Sequence, residues 1–498
     1  MKLQIVILIC FVLLNVTTSY ASISPSDVAG QIESILSNCS MAGNNCYGTS
    51  FGIVVDMYDL STQQFTNLYN LNDEMDFTPA SSTKLLTTTT IFYTFGEDFV
   101  ALTPFFTDKP YNADKEDLDF ICVKGQGDPS FNINSLVDAA QFFSKAGSVN
   151  NLIIDNTFYQ GDPVPQNWEW ADLTSGYGAI PTPLMINENT MNVFINPTNQ
   201  GAPPTISFQY PGEDTYLPVI NLATTGAPNT PNTIQIRFRP ASPFITIMGS
   251  IPSGSAKMSK NIPILNPEAY FLNVFGSMLK DNGVTIRNTM VGSCNNTGYD
   301  YKSFQVVSPP LNQMLNYTLL VSDNIYAETF LRLLGTTNTN PNLPAATTPT
   351  YLRGLDTIQS TLGIDTTLYT QDDGCGLSRQ NFITPKALVS VVEGVYTNAG
   401  DPNHDFISFL PVSAVSGTLK RRFINTSAQG IVHAKTGSMT GVDSLTGVIL
   451  QDGIHQNDPN IPIIFFSIIA NNENSQVNGK VIPIIDEIIV LLSQVTSF

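Results

Sequence analysis

Histidine is scarce in this chain of 498 residues. Only three histidines occur, His404, His433 and His455, and each stands alone in the sequence. A serine hydroxyl is a poor nucleophile unless a base lies beside it, and histidine is the commonest such base. The sequence therefore gives no support for a histidine-activated serine, and any serine chemistry needs a different base.

Charged residues are also few, and basic residues are the fewest. Charged residues make up 13% of the chain, and 22 Lys and Arg stand against 41 Asp and Glu, a formal net charge of −19. An acidic surface repels nucleic acid and anionic lipid. The sequence therefore predicts neither nucleic acid nor a membrane surface as a partner, and its low charge content is more typical of an extracytoplasmic protein.

The only long apolar run lies at the start of the chain. Lys2, an almost unbroken apolar run over residues 3–14, and small residues at Ser19 and Ala21 predict a signal peptide over residues 1–21. The alternative, an uncleaved anchor, is disfavoured because a span needs about 20 apolar residues. No membrane span is predicted in the mature protein. We expect secretion to a bacterial periplasm or cell wall, or to the exterior or a digestive vacuole of a eukaryote. In a eukaryote, four N-x-S/T sequons could carry glycans: Asn38, Asn295, Asn316 and Asn425.

The six cysteines have no C-x-x-C spacing, so the sequence predicts no metal site, and it predicts no cofactor. Cys39 and Cys46 lie close together in a polar segment and could form a disulfide after export. The five cysteines of the mature chain are an odd number, so at least one thiol stays free. Cys122, within an apolar stretch, is predicted to be a buried thiol.

The pattern of strands and helices changes along the chain. The sequence predicts a β-hairpin over residues 51–70 and a buried helix over residues 78–95 that ends at Gly96. Residues 97–260 alternate short β-type runs with turns, whereas helices are predicted at 268–282, 309–334 and 482–495, and paired strands at 444–450 and 461–469. This order predicts an α+β fold in which a β-rich insertion, residues 97–260, interrupts a domain formed by residues 22–96 and 261–498.

Three short motifs carry the chemistry: Ser81-Ser-Thr-Lys84, Ser322-Asp-Asn324 and Lys435-Thr-Gly437. In this order they are the signature of penicillin-binding proteins and class A β-lactamases. Ser81 and Lys84 are three residues apart, so a helix places them on one face. Lysine can act as a base if burial and a second cation, here Lys435, lower its pKa. The backbone N–H groups of Ser81 and of Ser438 or Met439 could form the oxyanion hole.

The chain resembles the D-alanyl-D-alanine carboxypeptidase/endopeptidase family of class C low-molecular-mass penicillin-binding proteins, peptidase family S13. Further blocks match its pattern, among them Gly125-Gln-Gly-Asp-Pro and Asp373-Gly-Cys-Gly-Leu-Ser-Arg379, in which Cys375 replaces the family's usual small residue. The long gap between Ser81 and Ser322 also matches. The resemblance implies a penicillin-binding, β-lactamase-like domain, with an antiparallel sheet flanked by helices, interrupted by two small inserted domains.

The resemblance also implies a role for each motif residue. Ser81 is expected to be acylated by peptidoglycan stem peptides, and by β-lactam antibiotics as covalent inhibitors, with Lys84 as its proton acceptor. Ser322 and Asn324 would relay protons and orient the substrate amide. Lys435 and Thr436 would hold the terminal carboxylate, and Gly437 and Ser438 on the same strand would also contact the substrate. A pocket for the diaminopimelate side chain would comprise Asp172, Tyr177, Arg379 and Met439.

Two other functions compete with a D,D-peptidase. A β-lactamase would need a carboxylate that activates water near the acyl bond, and no residue stands out for that role. A catalytically weak protein that only binds wall peptides would be expected to have lost a motif residue, and Ser81, Lys84, Asn324 and Lys435 are all present. The sequence therefore predicts a D-Ala-D-Ala carboxypeptidase or endopeptidase.

Overall fold

The computed structural model describes residues 22–40, 46–111, 116–238, 242, 244–294, 301–397, 405–453, 458–473 and 481–496. The predicted signal peptide, residues 1–21, lies outside these ranges, as do His404, His455 and the sequon residue Asn295. No helix within the described ranges is long and apolar enough to cross a membrane.

One antiparallel sheet joins the two ends of the chain. In order across the sheet, its strands are β18 (Val432–Met439), β19 (Val442–Leu450), β20 (Ile463–Asn471), β1 (Ser50–Asp59) and β2 (Gln64–Leu71). The predicted hairpin is confirmed as β1 and β2, and the predicted terminal strands as β19 and β20. The strand that carries Lys435 is therefore an edge of this sheet.

Helices cover both faces of this sheet, which explains why β20 is apolar at almost every position. Ile463, Phe465 and Ile469 pack in the core on one face, and Ile464 and Phe466 pack in the core on the other, as the alternation of a strand requires. The second face is covered by α1 (Val28–Ser40) and α11 (Ile482–Leu492). The first face is covered by α2 (Lys84–Phe95), α6 (Leu311–Val321), α7 (Asn324–Thr337), α8 (Thr350–Leu362), α9 (Pro385–Thr397) and α10 (Asp405–Ser408).

The predicted buried helix after residue 78 is confirmed, but its first turn is a 3-10 turn, Ala80–Thr83, followed by α2. Four consecutive threonines, residues 87–90, are buried in α2. Thr88 and Thr90 donate their hydroxyls to the carbonyls of Lys84 and Leu86, so these polar groups are paired within the helix. Gly96 ends α2 with a φ of 75°.

The single helical stretch predicted at 309–334 is two helices, because the chain turns sharply between α6 and α7. Ser322 ends α6 with a left-handed φ of 61°. Asp323 then caps α7, and its carboxylate accepts a hydrogen bond from the backbone N–H of Tyr326 at 2.9 Å. The break leaves Ser322 between the two helices and puts Asn324 at the first position of α7.

A second body lies between the catalytic motifs. Its main sheet runs in the order β14 (Thr285–Val291), β5 (Ser148–Asp155), β4 (Leu118–Lys124), β3 (Leu102–Thr107) and β15 (Tyr301–Val307). Smaller sheets contain β6 (Thr190–Asn196), β7 (Thr205–Phe208), β8 (Val219–Asn221), β9 (Thr224–Gly226), β10 (Gln235–Arg237), β11 (Ile245–Met248), β12 (Ser250–Pro252) and β13 (Met258–Pro263). The helices of this body are α3 (Ile133–Phe142), α4 (Glu213–Tyr216) and α5 (Pro267–Asp281), and β16 (Tyr369–Thr370) pairs with β17 (Phe382–Ile383) elsewhere.

The predicted end of the insertion at residue 260 falls inside this second body. β14 and β15 pair with β5 and β3, and α5 packs in the same core, so the segment that packs together continues to Val307. Residues of the main sheet and of the smaller sheets share one hydrophobic cluster. The division of the insertion into two small domains therefore stays a prediction.

Two disulfides are present in the described part of the chain. Cys39 pairs with Cys46, as the sequence allowed. Cys122, predicted to be a buried thiol, instead pairs with Cys294, and that prediction is wrong. The residues are 172 positions apart in sequence, and only the pairing of β4, β5 and β14 brings them together. Cys375 is a buried free thiol.

Candidate active site

Ser81 lies in a tightly held turn before α2. Ala80 adopts a left-handed φ of 49°, an unfavourable conformation for a residue with a side chain. Ser444 on β19 donates a hydrogen bond to the carbonyl of Pro79 at 2.7 Å, and its hydroxyl lies 2.8 Å from that of Ser82. Such strain persists only where the surroundings enforce it, and it often marks a functional site.

Glycine is required at residue 437 because β18 passes directly beside this turn. A Cβ atom at Gly437 would lie 2.4 Å from the carbonyl oxygen of Pro79 and 3.0 Å from the backbone nitrogen of Ser81. Both contacts involve backbone atoms, which cannot move aside cheaply. The glycine of the K-T-G motif thus allows the strand and the turn of Ser81 to approach each other.

Lys84 is fully buried beneath Ser81, and three oxygens surround its amine. The Nζ atom lies 3.0 Å from Ser81 Oγ, 2.6 Å from Asn324 Oδ1 and 2.7 Å from the carbonyl oxygen of Cys375. The predicted contact of Ser81 with Lys84 is therefore present, and Asn324 belongs to the same cluster. Asn324 is itself held by the insertion, because its Nδ2 donates to the carbonyl of Tyr177 at 2.9 Å.

Glu328 holds the backbone that presents the Cys375 carbonyl to Lys84. Its Oε1 accepts hydrogen bonds from the N–H groups of Gly374, at 2.6 Å, and Cys375, at 3.0 Å. Its Oε2 pairs with Arg332 at 2.8 Å, and both side chains are buried. Glu328 therefore contacts no substrate position but fixes one of the three oxygens around the Lys84 amine.

Glu328, Asp373 and Cys375 are the one group of side chains, among the residues that the structure describes, close enough together to hold a metal ion. The carboxylate oxygens of Glu328 and Asp373 already accept hydrogen bonds, however. Asp373 accepts from the N–H groups of Gly376 and Ser378, and from the side chains of Trp168 and Asn381. These four donors satisfy the buried carboxylate of Asp373, so its burial is explained without a bound cation.

Lys435 forms a second buried amine beside the first. Its Nζ donates to Ser322 Oγ at 2.8 Å and to the carbonyl of Thr436 at 2.7 Å. Thr436 donates its hydroxyl to Thr418 at 2.8 Å. Ser322 therefore lies between the Lys435 amine and the cleft.

Burial lowers the pKa of both amines. For Lys84, burial is the main cause, and nearby acidic groups such as Asp323 oppose it. For Lys435, burial is again the main cause, and repulsion from Lys84 lowers the pKa further. The sequence predicts that burial and Lys435 together lower the pKa of Lys84; burial is the main cause, and the repulsion between the two amines lowers the pKa of Lys435 instead. Both shifts favour the neutral form of the amine more than in a solvated lysine.

These groups open onto a cleft of about 440 Å³. Eight of the predicted site residues line it: Ser81, Asp172, Tyr177, Ser322, Asn324, Arg379, Ser438 and Met439. The buried amines of Lys84 and Lys435 contact three of these residues from beneath. The predicted site residues therefore form one cluster, although Thr436 and Gly437 lie beside the lining.

The insertion supplies the far wall of the cleft. Asp172 is buried, with 8% of its surface exposed, and accepts hydrogen bonds from the backbone of Glu169 and from the Tyr177 hydroxyl. Burial raises the pKa of Asp172. Arg379 does not contact Asp172 directly, but its Nε donates to Glu169 Oε1 at 2.7 Å. The sequence motifs did not indicate Glu169 or Glu328, although each lies within a few residues of a predicted site residue.

Comparison with known proteins identifies the chain. A model of the D-Ala-D-Ala carboxypeptidase 3 (S13) family matches residues 31–494. The chain belongs to that family. It is 55% identical over 485 residues to penicillin-sensitive carboxypeptidase A of Dictyostelium discoideum, covering 94% of this chain and 92% of the relative.

More distant relatives agree with this assignment. The chain is 26% identical over 468 residues to D-alanyl-D-alanine carboxypeptidase of Actinomadura sp., covering 89% of this chain and 83% of the relative. Its fold matches penicillin binding protein 4 (dacB) from Haemophilus influenzae with a TM-score of 0.74 at 19% identity, covering 93% of this chain and 98% of the other. The predicted family, the α+β penicillin-binding fold and D-Ala-D-Ala carboxypeptidase activity are confirmed.

Proposed function

We propose that this S13-family carboxypeptidase cleaves the terminal D-alanine from peptidoglycan stem peptides through an acyl-Ser81 intermediate, with Lys84 as the general base. The observation that carries the proposal is the position of the Lys84 amine. It is fully buried, 3.0 Å from the Ser81 hydroxyl, and the described His433 does not line the cleft.

The contacts of Lys84 orient its lone pair. A neutral amine has two N–H bonds and one lone pair, and two of its three neighbours are oxygens that only accept hydrogen bonds. If the N–H bonds point to Asn324 Oδ1 and to the carbonyl of Cys375, the lone pair points to the Ser81 hydroxyl. The hydroxyl then donates its proton to Lys84 as it attacks.

Acylation follows from this arrangement. Ser81 Oγ bonds to the carbonyl carbon of the penultimate D-alanine, and its proton moves to Lys84. The C–N bond to the terminal residue breaks, and the proton that Lys84 took from Ser81 passes to the leaving amine by way of the Lys435 amine and the Ser322 hydroxyl, which lie 2.8 Å apart. Water then hydrolyses the ester. Endopeptidase action would be the same reaction with a cross-linked amine as the leaving group.

The strand of the K-T-G motif is suited to the substrate's terminal carboxylate. The Lys435 amine lies behind Ser322, and Ser438 lines the cleft on the same strand. An amine and hydroxyls at one end of a cleft are hydrogen-bond donors that favour a carboxylate there. The N–H groups of Ser81 and Ser438 would receive the negative charge that develops on the substrate carbonyl.

We propose that β-lactams acylate Ser81 and that the resulting ester is hydrolysed slowly. Hydrolysis of such an ester needs a carboxylate that can activate water. The carboxylates of the cleft lining are Glu169 and Asp172, and both are engaged, with Arg379 and with the Tyr177 hydroxyl. This supports a penicillin-sensitive peptidase over a β-lactamase.

Two broader parts of the proposal concern organisation and location. We propose that residues 102–307 form the inserted body, since their strands pair with one another, and that residues before and after it form the penicillin-binding domain. We also propose that the enzyme acts outside the cytoplasm, where its stem-peptide substrates and its two disulfides would both be found.

Release of D-alanine from a synthetic peptide that ends in D-Ala-D-Ala tests this proposal. The wild type should release D-alanine, and Ser81→Ala should not, because it lacks the hydroxyl that lies 3.0 Å from the Lys84 amine. Ser61→Ala, in the exposed β1–β2 turn, is the control and should keep full activity. Full activity in Ser81→Ala would refute the proposal.

A further inference from the structure

Glu169 gives the far end of the cleft a charge that the motifs did not indicate. Its carboxylate pairs with Arg379 Nε at 2.7 Å, and both residues line the same cleft as Ser81. The Glu169 side chain is 54% exposed and that of Arg379 is 38% exposed, so a substrate can reach both.

The guanidinium of Arg379 is therefore already paired with an anion. Besides Glu169, it contacts the carbonyl of Thr440, to which its Nη2 donates at 3.1 Å. A substrate carboxylate that approached Arg379 would have to compete with Glu169 for the same guanidinium. It would also meet repulsion from the Glu169 carboxylate itself.

Asp172 adds a second negative charge beside this pair. It is held in place by the backbone N–H of Glu169 at 3.1 Å and by the Tyr177 hydroxyl at 3.2 Å. Among the described residues that line the cleft, Glu169, Asp172 and Arg379 are the charged ones, and with all three ionised they leave an excess of one negative charge.

We infer that Glu169 determines specificity, and that it selects stem peptides whose side-chain end carries an ammonium group without a free carboxylate. Lysine and amidated diaminopimelate have such an end, whereas unmodified diaminopimelate carries both charges there. This inference rests on the proposed function, because it concerns the substrate of the same cleft. The ammonium group of the substrate would lie near Asp172. An uncharged carboxamide beside it would not compete with Glu169 for Arg379, whereas a free carboxylate would.

Two peptides that differ in a single group test the inference. Both end in D-Ala-D-Ala, and both carry diaminopimelate, in one as the free carboxylate and in the other as the carboxamide. The quantity of interest is the ratio of kcat/KM for the amide to kcat/KM for the acid, measured by release of D-alanine. The wild type should favour the amide by about two- to fivefold, the range expected for an exposed ion pair.

Glu169→Gln should reverse this preference. The substitution leaves Arg379 without its carboxylate partner and removes the repulsion, so the acid peptide gains a partner that the amide cannot use. The ratio should fall at least threefold, to about one or below. The matched control is Glu74→Gln, which breaks an ion pair of similar exposure, with Lys386 at 2.6 Å, outside the cleft lining. The control should leave the ratio unchanged.

Three results would overturn the inference. The wild type would cleave the acid peptide faster than the amide, or Glu169→Gln would shift the ratio no more than Glu74→Gln does, or Glu169→Gln would raise it. Each of these leaves the proposed function intact, because both peptides are still cleaved. Failure of the wild type to release D-alanine from either peptide would instead refute the proposed function, and the inference with it.

Discussion

The assignment of Lys84 as the base makes a quantitative prediction about acylation. In Lys84→Arg the positive charge is kept, but the guanidinium does not lose its proton in proteins. General-base catalysis contributes about 100-fold to 10,000-fold, so benzylpenicillin acylation should slow by at least 100-fold, or about 2.7 kcal/mol of activation free energy. Lys84 is fully buried among three oxygens, so no solvent-exposed base can easily replace it.

The pH dependence of acylation sharpens this prediction. Burial lowers the pKa of Lys84 below its ordinary 10.5. The wild-type acylation rate should therefore rise with pH as the amine loses its proton, and Lys84→Arg should not show this rise. The assay is the second-order rate of labelling by a fluorescent penicillin, with Lys386→Arg as an exposed control. Near-normal labelling in Lys84→Arg would refute the reasoning.

Three further predictions follow from other contacts. Glu328→Gln leaves Arg332 without its carboxylate partner. The substitution should lower kcat more than it changes KM and should shift the pH profile of acylation. Equal loss of folded protein and activity would instead indicate a purely structural role. Asp172→Ala should lower kcat/KM at least tenfold for peptides with an ammonium end but leave benzylpenicillin acylation unchanged, and equal losses on both would contradict its role in recognition. Burial, together with the charge of Asp56, raises the pKa of Glu393 to about 8, above its ordinary 4.5. This carboxyl therefore stabilises the fold fully below about pH 4.5. The stabilisation decreases as pH rises through 8, by up to about 1.4 kcal/mol per pH unit. Glu393→Gln should flatten urea-unfolding stability across that window, and an unchanged slope would contradict the shift.

The clustering of the motif residues could be predicted because these residues are tied to local sequence patterns. Ser81 and Lys84 share one helical turn, and Lys435 and Gly437 lie on one strand, so short motifs carry their geometry. The sheet was predictable for the same reason, since β20 is buried on both faces and reads as an apolar run.

Contacts between distant segments could not be predicted in this way. The Cys122–Cys294 disulfide, the pairing of Glu169 with Arg379, and the support of the Cys375 carbonyl by Glu328 all depend on tertiary packing. Nothing local in the sequence distinguishes these residues from solvated glutamates or isolated thiols. The extent of the second body to Val307 depends on tertiary packing in the same way, because β14 and β15 join their sheet only through pairing with earlier strands.

The covalent intermediate at Ser81 is the centre of this account, and one measurement tests it most directly. The intact protein is incubated with benzylpenicillin, digested, and analysed by mass spectrometry for the peptide that carries the penicilloyl group. We predict a single adduct on Ser81, stable over the time of the experiment and absent from Ser81→Ala. An adduct on any other residue, or one that persists in Ser81→Ala, would contradict the account.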